Sequence, residues 1–232
     1  GTTLNSVLMY ARYTNGGNSF LSQIKLSNSD GKHSAFPMGD FIGTASDTLA
    51  IAWRDSVNST QQWDISTSVS TNGGQSWSAQ STVSGGAGTQ SDPNIVVDKN
   101  RVMHIVYHDY YTSGCVNEFC AKVMYGYSTN NGLTWNPSGF RQISPANLRA
   151  HLTKTAYDFN NNIFWAAYKD ERDFNFLNGN PQADIAAVYI LNGGTYISPV
   201  NEFVTDKDSL EVGYHNFAVG NDGILRAVYR SP

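Results

Sequence analysis

Short apolar runs rich in Val, Ile, Ala and aromatic residues alternate along this chain with polar turns built from Asn, Gly, Ser and Asp. No stretch holds the helical period convincingly, so the pattern predicts strands and no helix longer than a turn or two. The turns repeat. Tyr13-Thr14-Asn15-Gly16-Gly17-Asn18-Ser19-Phe20 returns as Ser70-Thr71-Asn72-Gly73-Gly74-Gln75-Ser76-Trp77 and as Ser128-Thr129-Asn130-Asn131-Gly132-Leu133-Thr134-Trp135. A worn fourth copy is Leu191-Asn192-Gly193-Gly194-Thr195-Tyr196. Asn-Gly between alternating runs marks a hairpin, because both central turn residues need positive φ.

A second piece recurs between these hairpins, each time strand, polar turn, strand. Its copies end in Trp53-Arg54-Asp55, Tyr107-His108-Asp109, Tyr168-Lys169-Asp170 and Tyr229-Arg230-Ser231. The turn asparagines Asn15, Asn72, Asn130 and Asn192 lie 57, 58 and 62 positions apart, and passing through the C-terminus back to Asn15 takes 55. Each unit has room for four strands of about six residues. The pattern predicts one all-β domain over residues 1–232, a four-bladed β-propeller with four-stranded antiparallel blades. The last blade is expected to close by pairing N-terminal strands (Val7 to Leu26) with C-terminal ones (Phe217 to Tyr229), which would cover both edges; the alternative is a fragment of a larger propeller.

Charged residues make up 15% of the chain, against roughly 25% in an average domain, so Ser, Thr, Asn and Gly carry the polar surface. The net charge is −4 with no basic stripe, which argues against nucleic acid as a partner. No apolar run approaches the ~18 residues of a membrane span. Gly1 could be the start of a processed or trimmed chain. Cys115 and Cys120 share one polar stretch and are too few for a zinc site. They read as a local disulfide or as two free thiols, and the first would place the protein in an oxidising, extracellular setting. Asn58-Ser59-Thr60 fits a glycosylation acceptor.

The hairpin copies at Ser70, Asn72, Gly74, Ser76, Trp77 and at Ser128, Asn130, Gly132, Thr134, Trp135 resemble the Asp-box, or BNR repeat, with Asn in the usual Asp position. Phe36-Pro37-Met38-Gly39-Asp40-Phe41-Ile42-Gly43 and Ser91-Asp92-Pro93-Asn94-Ile95-Val96-Val97-Asp98 look like segments of secreted sialidase-like propellers. The resemblance implies that fold over nearly the whole chain. Sialidases, other glycosidases, polysaccharide lyases and non-catalytic lectins share it, so it does not fix a function. Sialidases of the family carry six blades, an arginine triad whose first member sits in a Phe/Tyr-Arg-Ile-Pro motif, and a Tyr/Glu pair. This chain has no such motif, its nearest string being Ala35-Phe36-Pro37, and sialidase activity is disfavoured.

Strand alternation places the loops opposite the Asn-Gly hairpins on one face. That face is expected to collect Arg54, Asp55, His108, Asp109, Lys169 to Asp173 and Arg230, with the blade-entry residues Asp40, Asp92, His151 and His215. Two long loops rise there, from His108 to Cys120 and from Lys169 to Asp184. Ligand binding is assigned to Arg54, Asp55, His108, Asp109, Tyr110, Asp170, Arg172 and Phe174, where aromatic faces suit sugar rings and polar groups their hydroxyls. The alternatives are that Tyr110, Tyr111, Phe174 and Phe176 cap the blades, and that Asp55, Asp109 and Asp170 brace loop amides. Trp53, Tyr107, Tyr168 and Tyr229 share one repeat position and are expected in the core. His104 is read as structural. No cofactor is implied, although His108, His151 and His215 could hold a transition metal with a carboxylate.

The first functional reading is a secreted, monomeric, lectin-like propeller binding an extracellular glycan or glycoprotein without chemistry. The second is a carbohydrate-active enzyme. A glycosidase would draw two carboxylates, roughly 5–9.5 Å apart, from Asp55, Asp109, Asp170 and Glu171. A lyase would use His108 or a tyrosine as base, with Arg172 neutralising a uronate. The third is a protein-interaction platform.

Overall fold

The computed structural model describes residues 6–14, 19–28, 30–40, 47–57, 62–84, 88–111, 120–135, 140–146, 149–171, 183–198, 202–205 and 215–230. These residues form antiparallel sheets with a single 3-10 turn at Asn192–Gly194. The first complete blade runs β5 (Ser34–Asp40), β6 (Leu49–Ser56), β7 (Trp63–Ser70) and β8 (Ser81–Ser84), paired in that order. The second runs β9 (Thr89–Val97), β10 (Met103–Tyr111), β11 (Cys120–Ser128) and β12 (Arg141–Gln142). The third runs β13 (Ala150–Asp158), β14 (Ile163–Asp170) and β15 (Asp184–Leu191), whose outer edge pairs both β16 (Tyr196–Ile197) and β17 (Glu202–Phe203).

Two partial units flank these blades. At the N-terminus β1 (Met9–Tyr10) pairs β4 (Ile24–Lys25), and β2 (Tyr13–Thr14) pairs β3 (Ser19–Phe20). At the C-terminus β18 (His215–Val219) pairs β19 (Leu225–Tyr229). Among the described residues no ladder joins β19 to the N-terminal strands, and Val228 on β19 is 68% exposed. The fold is therefore an all-β stack of propeller blades whose expected closure by edge pairing is not seen among these residues.

The second strand of each blade is sandwiched between two neighbours, which is why it reads apolar on both faces. Ala50, Ala52, Ile65 and Val69 of the first blade pack on Ile95, Val97, Met103 and Ile105 of the second. Val96, Val106, Val123 and Tyr125 meet Phe164, Ala166, Tyr168 and Val188 of the third. Ala156, Ala167 and Ile185 meet Phe217 on β18. The N-terminal unit packs Leu8, Tyr10 and Ile24 against Ile51 and Trp53. Trp53, Tyr107 and Tyr168 are buried as expected of core positions. Each fully buried large side chain contributes about 1.5–3 kcal/mol. Tyr229 departs from the pattern and is exposed on β19. His104 is structural, since its Nδ1 lies 2.8 Å from the Tyr125 hydroxyl and its ring stacks on Phe164.

The hairpins are built alike. In the first blade the Asn72 side-chain oxygen accepts from the Ser76 amide (2.9 Å), and the Ser70 hydroxyl accepts from the Gly74 amide (2.9 Å). In the second, Asn130 and Ser128 do the same for Thr134 (3.0 Å) and Gly132 (2.9 Å). The left-handed residues are Gly73 and Gly74, Asn131 and Gly132, and Asn192 to Gly194. These turns also seat each blade on its predecessor. A Cβ on Gly194 of the third blade would lie 2.6 Å from both Tyr125 and Tyr127 of the second, so only glycine permits the approach.

Candidate functional site

One irregularity recurs at the end opposite the hairpins. In β5 two residues, Phe36 and Pro37, stand opposite the single Trp53 of β6. In β9 Asp92 and Pro93 stand opposite Tyr107, and in β13 Leu152 and Thr153 stand opposite Tyr168. Each is a β-bulge, which bends the strand and re-aims its side chains. The first residue of each bulge has a left-handed backbone, with φ of 54° at Phe36, 47° at Asp92 and 54° at Leu152. Such conformations cost of order 1 kcal/mol or more in non-glycine residues, and they gather where a site is held in shape. All three line one cavity of about 390 Å³, together with Thr153, Lys154 and His215. That volume is within the range of small-ligand pockets.

The bulges are tied to each other. The Asp92 carbonyl accepts from the Thr153 hydroxyl (2.7 Å), and the Asn94 amide donates to the Thr153 carbonyl (2.8 Å). Next to this joint lies a polar cluster. The Arg54 guanidinium sits 4.0 Å from the Phe36 ring centroid and 4.4 Å from that of Trp63, and it donates to the Ser91 hydroxyl (3.1 Å). Burial lowers the Arg54 pKa, opposed by the charge of Asp92 and by Tyr110.

His108 is the core of the cluster. It is 1% exposed, and neither ring nitrogen has a hydrogen-bond partner among the described residues. Its Nδ1 lies 3.6 Å from Asp92 Oδ2. The Tyr110 ring stands edge-on at 4.6 Å between centroids, and the His151 ring at 6.3 Å. Burial, then the nearby charges of His151, Arg54 and Arg149, push the His108 pKa down to about 3, so the ring is neutral at pH 7. Burial also raises the Tyr110 hydroxyl, which stays protonated.

Behind this pair Glu171 is locked. His151 Nε2 (3.1 Å) and Lys169 Nζ (2.9 Å) lie on its Oε1, and Arg149 Nε is 3.1 Å from its Oε2. Burial would raise the Glu171 pKa, but hydrogen bonds from His151 and Lys169 and their charges outweigh it and hold the group at about 2.

The residues expected at the site divide into three groups. Arg54, His108 and Tyr110 converge, with Asp92 and His151 from the blade-entry set. Asp55 accepts from Ser34 (2.8 Å) and Gln80 (2.7 Å), while Asp109 accepts from Gln90 (2.9 Å) and pairs with Lys122 (3.3 Å). Both brace the sheet, and Asp170 is buried at 2% exposure in the equivalent position. Arg172, Phe174, Cys115 and Asn58 lie outside the described residues, as do Asn15, Phe176 and Asp173. The side chains of Asp40 and Tyr111 are not among those described. Cys120 opens β11 and is buried. No group of three or more His, Cys, Asp or Glu side chains with metal-binding geometry forms among the described residues, and His215 faces the cavity instead of joining His108 and His151. Sequence reasoning did not find the bulge residues Phe36 and Leu152, or Arg149.

Comparison with solved structures places the fold. An α-L-arabinofuranosidase from Fusarium graminearum superposes with TM-score 0.64 at 14% identity, over 97% of this chain and 67% of that one. A polysaccharide lyase described as an ulvan lyase gives 0.60 at 12%, over 97% and 57%. A Hadza microbial sialidase gives 0.61 at 16%, over 85% and 42%. The chain thus has the fold of sialidase-like propellers and spans 42% to 67% of the length of these structures. No family model matches the sequence, and no curated protein matches it.

Proposed function

We propose that this protein is a carbohydrate-active enzyme that cleaves an acidic extracellular glycan by β-elimination at a uronate residue. The observation that carries the reading is His108, a neutral, buried imidazole without hydrogen bonds among the described residues, flanked by a protonated tyrosine and two arginines beside a cavity. The neighbours in structure include two glycosidases and a lyase, which supports chemistry over a lectin without chemistry. One of them is described as a lyase bound to a glucuronate–rhamnose sulfate chain.

The side chains favour elimination over hydrolysis. A glycosidase needs two working carboxylates, yet Asp55 and Asp109 brace the sheet, Asp170 is buried and Glu171 is held by His151, Lys169 and Arg149. In the proposed reaction Arg54 and Arg149 stabilise the uronate carboxylate and the negative charge that grows on it. His108 takes the C5 proton, and the electron pair left behind forms the C4=C5 double bond. The C4–O bond breaks, and the leaving oxygen takes the Tyr110 proton. Proton transfer from His108 to Tyr110 restores both groups, and no water is consumed. An anionic substrate offsets the positive neighbours that depress His108, which brings its basicity toward a useful range.

The finer parts of the reading complete this picture. The Ser70–Trp77 and Ser128–Trp135 hairpins act as Asp boxes, Cys115 bonds Cys120, and the protein works outside the cell. The N-terminal unit and β18–β19 together make the fourth blade of a closed ring. Incubation with a panel of uronate polysaccharides, ulvan among them, should yield unsaturated oligosaccharide ends. Reducing ends released without unsaturation would point to a hydrolase, and binding without any release to a lectin.

A further inference from the structure

The cavity behind the cluster does not stop at the bulges. A second space of about 300 Å³ continues along the innermost strands β5, β9, β13 and β18, and Met38, Asn94 and Lys154 line both. Among the described residues Lys154 is the only charged one lining this inner space. It is half-buried, and it makes no ion pair or hydrogen bond among the described residues. A partly desolvated ammonium without a counter-ion is costly. His215 lines the outer space beside Lys154, 6% exposed, with neither ring nitrogen hydrogen-bonded among the described residues. The Ala167 carbonyl lies near its ring but outside hydrogen-bonding geometry. Asn216 on the inner wall accepts from the Phe217 amide (3.0 Å), which leaves its NH₂ available. Lys154, His215 and Asn216 thus offer donors without a bonded acceptor among the described residues, beside walls of Met38, Ile95 and Val96. Asp92, the one carboxylate of the outer cavity among the described residues, sits at the opposite end against His108.

We propose that the junction of the two spaces at Lys154 is a second anion subsite, in which Lys154 and His215 bind a sulfate or carboxylate group on a sugar adjoining the one that reacts. The placement of that anion on a glycan rests on the function proposed above; the anion site itself does not. Lys154 supplies the charge, while the neutral His215 and the Asn216 amide each donate one hydrogen bond. The reacting uronate lies at the Arg54 end, so the enzyme would select chains carrying two anionic groups on neighbouring units.

The probes are inorganic sulfate and free glucuronate, titrated into the intact chain by calorimetry while the His215 ring is followed by NMR. At least one should bind saturably and shift that ring. Lys154→Met should weaken it at least tenfold and His215→Gln several-fold, with Lys154→Gln as a second check should the Met variant fail to fold. Tyr196→Phe, on the exposed outer strand β16, should bind like the unaltered protein. Preference for sulfate assigns a sulfate ester, and preference for glucuronate a carboxylate. Absence of saturable binding by either probe, or equal binding to the folded Lys154 variants, overturns the subsite. Lys154-dependent binding in a protein that cleaves no glycan would keep the subsite and reject the lyase.

Discussion

Acid should unfold this protein well before its carboxylates titrate, because two of its histidines are buried in neutral form. The ring of His108 is held at a pKa of about 3 and that of His215 at about 4, against 6.5 in the unfolded chain. Below pH 6.5 the unfolded state takes up these two protons and the folded state does not. The stability tied to each group is therefore fully present above pH 6.5 and is lost as the pH falls toward the folded value. Between pH 6.5 and 4.5 each histidine loses two pH units of differential protonation, at 1.36 kcal/mol per unit. The loss for both is about 5 kcal/mol, comparable with the entire stability of many domains. Glu171, held at about 2, adds its own loss only below about pH 4.5, where the unfolded glutamate begins to protonate. Asp64, raised by burial, works in the opposite direction. Urea unfolding at pH 7 and pH 4.5 measures the difference directly. His108→Gln keeps a neutral polar side chain and should remove about half of the pH dependence. Equal stability at the two pH values, or an unchanged slope in His108→Gln, would refute the reasoning.

Gly194→Ala should destabilise the fold by about 2–3 kcal/mol, since it adds a Cβ at φ 99° within 2.6 Å of Tyr125 and Tyr127 where a packed interface cannot yield; thermal melting will register it. Asn72→Ala removes the acceptor for the Ser76 amide and the donor to its hydroxyl (2.8 Å), so it should cost about 1–3 kcal/mol and leave glycan affinity unchanged in a binding assay. Thiol titration of the denatured, unreduced protein should find no free thiol, and two reactive thiols would remove the Cys115–Cys120 bond from the account.

The architecture was legible because its signals are periodic. A turn that needs left-handed residues, placed at near-constant spacing, announces a repeat whatever the residues between. The buried aromatic at Trp53, Tyr107 and Tyr168 follows from the same period. Closure was not legible in that way, for it depends on contacts between the two ends. The site was legible only in part. Arg54, His108 and Tyr110 could be placed on one face by strand alternation alone. The bulges that shape the cavity could not, because a residue before proline is ordinarily extended, yet Phe36 and Asp92 precede prolines and are left-handed. Leu152 carries no turn signature at all. Arg149 stands outside the repeated segments, so no periodic position drew attention to it. Asp55, Asp109 and Asp170 repeat as a set, a bracing role was one of the alternatives that repeat left open, and Asp55 and Asp109 do brace their sheets.

In the proposed reaction His108 and Tyr110 carry out elimination on an acidic glycan. Ultraviolet absorbance of the conjugated C4=C5 uronate, followed as the protein meets a uronate polysaccharide, tests it most directly. The account predicts a rising signal that falls by at least a hundredfold in Tyr110→Phe, on the scale of losing a general acid, while that variant melts like the unaltered protein. A signal unchanged in Tyr110→Phe, or cleavage that leaves only saturated ends, would contradict it.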